Sequence, residues 1–80
     1  MAAGENNVSS WSKKAGKEIG ALSGALGIDS KGLAEKAAIS PARTTRLLDG
    51  KAEFTLAEFV QTANALEYTP GGLLARCLKS

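Results

Sequence analysis

The chain has 80 residues and a mass of 8.2 kDa, room for one domain and one core, and its 44% hydrophobic and 22% charged residues are those of a folding globule, not a disordered chain. A domain this short hides only about 60% of the surface its unfolded chain exposes, so surface binding is favoured over a large enclosed substrate cavity. With no histidine and one cysteine, Cys77, the usual Cys/His zinc sites, a histidine-dependent triad and an internal disulfide are all excluded.

The formal net charge is only +2, but the cations are concentrated. Lys13, Lys14, Lys17, Lys31, Lys36, Arg43, Arg46 and Lys51 fall between positions 13 and 51 against Glu18, Asp29, Glu35 and Asp49, while each flank is net acidic. This asymmetry suits a polyanion partner and equally suits a solvated mixed-charge face. The opening residues Met1, Ala2, Ala3, Gly4 and Glu5 lack the basic start and apolar run of a secretory signal. No stretch approaches the ~20 apolar residues of a membrane span, and a lone thiol suits a reducing compartment. A cytoplasmic protein without a membrane partner is expected. No paired catalytic groups stand out, so neither an enzyme nor a cofactor is expected.

Residues 1–8 read as a polar, flexible tail and 9–80 as the domain. In the first predicted helix Val8, Trp11, Ala15, Ile19, Leu22 and Leu26 recur at intervals of three and four, with Ser9 or Ser10 as cap and Gly27 beyond the end. Gly16, Gly20 and Gly24 fall four apart on it, each costing about 1 kcal/mol against alanine. Either they let another backbone approach closely, or they are tolerated on a partly exposed face. Trp11 is placed either inside, covering the first helix against the fifth, or at a contact between subunits. Lys13, Lys14 and Lys17 form either a solvated face or a phosphate clamp.

The second helix opens at Ile28, Asp29 and Ser30, with Asp29 as cap and Leu33, Ala34 and Ala37 on one face. Ser40 as cap and Pro41 at the first helical position start the third, which runs to about Leu48 and is closed by Asp49 and Gly50. Thr55 and Glu58 have the capping-box spacing that opens the fourth, whose stripe is Leu56, Phe59, Val60, Ala63 and Leu66. Thr69 and Pro70 start the fifth, which carries Leu73, Leu74, Cys77 and Leu78, with Cys77 expected as a small, semi-buried hydrophobe. No segment alternates over the length of a strand.

The third helix has two faces. At ~100° per residue, Thr44, Leu47 and Leu48 cluster on one side and Ala42, Thr45, Arg46 and Asp49 on the other, with Pro41 and Arg43 on the flanks. A helix entering the major groove needs slim residues near its N-terminus and donors such as arginine that pair bidentately with guanine. Ser40, Ala42, Arg43, Thr45 and Arg46 meet that description; the plainer alternative is that both arginines are solvated.

The run from Gly32 through Leu33, Ala34, Glu35, Lys36, Ala37, Ala38, Ile39, Ser40 and Pro41 to Arg46, Leu47, Leu48, Asp49, Gly50 and Lys51 resembles the lambda-repressor-like helix-turn-helix family, which includes Cro and XRE-type regulators. The run from Thr55, Leu56, Ala57 and Glu58 to Thr69, Pro70, Leu73 and Leu74 matches the pattern that follows it, and the likeness covers residues 17–75. Thr44 stands where an aliphatic β-branched residue is usual, Ser30 where a glutamine often touches phosphate, and Phe54 where proline is frequent. Glu67 stands in place of a glycine and Gly71 and Gly72 in place of an acidic pair, so the turn at Glu67 is expected to be reshaped and the last helix to be weak.

The resemblance implies an all-α fold, a compact five-helix lambda-repressor-like helix-turn-helix domain. It further implies a sequence-specific transcriptional regulator, a bacterial or phage repressor whose third helix reads the major groove of a double-stranded DNA operator as a homodimer; no small-molecule ligand is evident from the sequence. Ser30, Ser40, Pro41, Ala42, Arg43, Thr45, Arg46, Asp49 and Lys51 are the implied base or phosphate contacts. The competing expectation is a protein-interaction module, an antitoxin or co-regulator, that keeps the same helices as a scaffold.

Overall fold

A computed structural model describes residues 8–79, so the tail expected at the N-terminus lies, Val8 apart, outside the described residues. Among them 72% are helical and none lies in a strand. The helices are α1 (Ser10–Ala25), α2 (Ser30–Ala37), α3 (Pro41–Leu48), α4 (Leu56–Ala65) and α5 (Pro70–Lys79).

Four of the five start where a short polar side chain satisfies an open amide. Asp29 accepts from the Gly32 amide at 2.7 Å, Ser40 from Arg43 at 3.2 Å, and Thr69 from Gly72 at 3.1 Å. Thr55 and Glu58 make the reciprocal box, the Glu58 amide donating to Thr55 Oγ1 at 3.1 Å and the Thr55 amide to Glu58 Oε1 at 2.9 Å. The start of α1 differs. Ser9 occupies the cap position without capping through its own side chain; its amide and hydroxyl donate instead to the two carboxylate oxygens of Glu53, at 2.7 and 2.6 Å. A carboxylate from the loop before α4 thus lies at the positive end of the α1 dipole.

Helix ends use left-handed backbone. Gly27 (φ 74°) and Gly50 (φ 73°) supply it without strain, but Ala38 (φ 60°) and Glu67 (φ 62°) carry side chains there. The turn at Glu67 is therefore not reshaped; it keeps the conformation that suits glycine. The left-handed region costs a side-chain-bearing residue about 1–2 kcal/mol, partly offset because glycine loses more freedom on folding. Ala38→Gly is expected to raise stability by about 0.5 kcal/mol, seen as a higher urea midpoint at unchanged slope; a lower midpoint would show that the turn between α2 and α3 carries no strain.

The core joins Ile19, Leu33, Leu47, Phe54, Phe59, Leu66, Leu73 and Cys77. α1 packs against α3 and α5, α2 against α3 and α4, and α4 against α5. Cys77 is wholly buried, and burial pushes its thiol pKa up. The stripes of α4 and α5 split: Phe59, Ala63, Leu66 and Leu73 go inside, whereas Leu56, Leu74 and Leu78 face solvent. The Trp11 ring lies 5.8 Å from Phe59, edge on, and 6.4 Å from Phe54. It is partly buried and packs against the core, with its ring partners on α4 and the loop before it.

Polar residues also hold the interior. Ser12 is wholly buried and accepts the Phe54 amide at 2.8 Å, so a hydroxyl on α1 anchors the loop between α3 and α4. Of the three spaced glycines only Gly16 meets another backbone; a Cβ there would collide with the Leu47 carbonyl oxygen and lie 3.4 Å from Leu48 Cα, while Gly20 and Gly24 have nothing within 4 Å. Glu18 and Arg76 pair across α1 and α5, Nε donating to Oε2 at 2.6 Å.

Candidate nucleic-acid interface

α3 divides as its periodicity predicts. Thr44 and Leu47 are buried at 3% and 1% exposure and Leu48 is half-buried, whereas Pro41, Ala42, Thr45, Arg46 and Asp49 face solvent. Thr44 can be buried because its hydroxyl donates to the Ser40 carbonyl at 2.9 Å. Ser40 before the helix, Lys51 after it and Ser30 at the first turn of α2 are exposed as well. The resulting surface is narrow at the N-terminal end, where Pro41 and Ala42 keep side chains short, and cationic toward the C-terminal end.

The two arginines behave differently. Arg46 is exposed, with Nη2 donating to the Lys51 carbonyl at 3.2 Å, a contact that leaves the rest of its guanidinium donors to solvent. Arg43 turns toward α4. Its Nε donates to Glu58 Oε2 at 2.8 Å and its Nη2 to Glu58 Oε1 at 2.9 Å, a two-pronged pair, and Nη2 also reaches the Glu53 carbonyl at 2.7 Å. The guanidinium fork matches a carboxylate in this geometry and fixes angle as well as distance. Arg43 therefore ties the first turn of α3 to the first turn of α4, and Glu58 serves both the capping box and this pair.

The Arg43 guanidinium hydrogen bonds lower the Glu58 pKa to about 2, against the opposing effect of burial and with help from the Thr55 amide. Glu53 is also lowered, by the Ser9 hydroxyl and amide. A carboxylate whose folded pKa lies below its unfolded value of 4.5 adds stability that is complete above about pH 4.5 and drains away as pH falls toward 2. For half-buried Glu58 that share is on the order of 1–3 kcal/mol after solvent screening. Urea titrations between pH 6 and 2.5 are expected to show a steeper loss for the parent protein than for Glu58→Gln, which starts lower and falls less; parallel curves would remove the pair from the stability account.

Beyond α3 an open apolar groove of about 280 Å³ is lined by Trp11, Leu56, Phe59 and Leu74. Among the described residues no group of three or more Cys, Asp or Glu side chains could hold a metal ion, and no helix is long and apolar enough to cross a membrane.

Local patterns place the faces of α3 and its capping residues, but give no sign of the Arg43–Glu58 pair or the Glu53–Ser9 contact, which join residues 15 and 44 positions apart. Comparison with protein-family models, curated proteins and solved structures gave no match.

Proposed function

We propose that this protein is a cytoplasmic, sequence-specific double-stranded DNA-binding transcriptional regulator, a repressor of bacterial or phage type, with α2 and α3 as a lambda-repressor-like helix-turn-helix. One observation carries the proposal: Pro41, Ala42, Thr45 and Arg46 are all exposed on a helix whose opposite face, Thr44 and Leu47, is anchored in the core. Short residues at the N-terminal end let the α3 backbone approach base edges, and Arg46 brings the fork that pairs with guanine in the major groove. Ser30, Ser40 and Lys51 stand where phosphates on either side would pass. Arg43 acts from behind, holding α3 at a set angle. Repression is steric: an occupied operator excludes polymerase. One copy reads few bases, so two copies on half-sites about 34 Å apart are required, and exposed Leu74 and Leu78 offer apolar surface for pairing.

The test is selection from a random duplex library at two salt concentrations. A recurring motif, bound more weakly as salt rises, is expected. A second reading, the protein-interaction module, is favoured by the apolar groove and by Leu56, which is 79% exposed. Indifference to every duplex at low salt, together with a stoichiometric protein complex, would replace the regulator with that module.

A further inference from the structure

The contacts at the end of α3 reach back to α1. Gly50 carries no side chain, and a Cβ built there would lie 3.5 Å from Cγ of Lys13, so the Lys13 stem runs over this turn. The neighbouring residue, Lys51, is exposed and gives its carbonyl to Arg46. Contacts therefore run continuously from Lys13 through Gly50 and Lys51 to Arg46.

Helical geometry carries the line further. At ~100° per residue Lys13, Gly16 and Lys17 share one face of α1, and the approach of Gly16 to Leu47 and Leu48 holds that face against the last turn of α3. Glu18, about 100° further round, is drawn to Arg76 of α5. Lys13 and Lys17 are exposed, and among the described residues neither enters an ion pair. Asp49 is the one carboxylate between Arg46 and Lys51 in sequence. A lysine with its stem lying on the protein and its ammonium in water is a point charge suited to phosphate oxygens and blind to base identity.

We infer that Lys13 and Lys17 form a phosphate-binding rail beside the C-terminal end of α3, holding the backbone of duplex DNA while Arg46 faces the bases. The inference rests on the DNA-binding reading and adds to it a surface outside the two motif helices.

The experiment measures affinity against salt for the full chain, on the selected duplex and on a scrambled duplex of equal length. Lys13→Gln with Lys17→Gln is expected to lower the slope of log affinity against log salt by about 2, near 0.9 for each lost phosphate contact, and to weaken both duplexes by the same factor. Lys13→Arg with Lys17→Arg keeps the slope. Lys36→Gln, which removes a charge from the groove beside Leu26 and Glu67, is expected to leave it unchanged. An unaltered slope in the double glutamine variant, or an equal drop in Lys36→Gln, overturns the rail while the regulator reading stands. A parent protein with no salt-dependent affinity for either duplex overturns both.

Discussion

Gly16→Ala is expected to destabilise the protein by about 2–3 kcal/mol, even though alanine is the better helix former by about 1 kcal/mol. The added Cβ would strike the Leu47 carbonyl oxygen and crowd the Leu47 carbonyl carbon at 3.3 Å. Both belong to backbone, which cannot turn aside as a flexible side chain does. α1 must move off α3, and that movement disturbs Ser12 against the Phe54 amide and Ala15 and Ile19 in the core. For a chain of this size the fall in Tm should be roughly 10–20 °C. Gly20→Ala is the control. With nothing within 4 Å of its added Cβ, it should stabilise by up to about 1 kcal/mol. Thermal melts of the two variants that moved in the same direction would show that α1 and α3 do not touch at Gly16.

The second large effect separates the two arginines of α3. Arg46→Ala should lower affinity for the selected duplex by about 1–3 kcal/mol, roughly 5- to 150-fold, and relax one base preference. It should change stability by no more than about 0.5 kcal/mol, because the side chain is exposed and makes one long hydrogen bond to Lys51. Arg43→Ala should do the reverse. It leaves the Glu58 carboxylate, 16% exposed, without its guanidinium, so stability should fall by about 1–3 kcal/mol. The sequence selected from a random library should stay that of the parent protein, with affinity reduced only as far as a less firmly held α3 requires. Urea melts and parallel selections on both variants check the contrast. If Arg43→Ala erased a base preference and left the melt untouched, Arg43 would be a base-reading residue and the tie to α4 incidental.

Arg43 also shows where sequence reasoning meets its boundary. Its position on the flank of α3 follows from helical periodicity, and from there two orientations are open, outward to a partner or inward to the protein. The spacing to Glu58 has no helical or strand period, so nothing local chooses between them. Only when α3 and α4 are packed does the Glu58 carboxylate, already aimed by its bond to the Thr55 amide, come within reach. Ser12 is a comparable case: a serine beside an apolar stripe looks solvated until the Phe54 amide arrives from 42 residues away and needs an acceptor.

What the amino-acid order decided alone is whatever acts within about one helical turn. The caps at Asp29, Ser40, Thr55 and Thr69, the stops at Gly27 and Gly50, and the inward and outward faces of α3 all depend on residues three or four apart, and all are realised. What only the folded arrangement decided is which of three equivalent glycines receives a neighbouring backbone, which leucines of the α4 and α5 stripes stay wet, and whether a given cation faces solvent or a carboxylate. Those outcomes depend on distances between segments far apart in the chain. A hydrogen bond or a van der Waals contact acts over a few ångströms, so such residues exert no influence on one another until packing has brought the helices together.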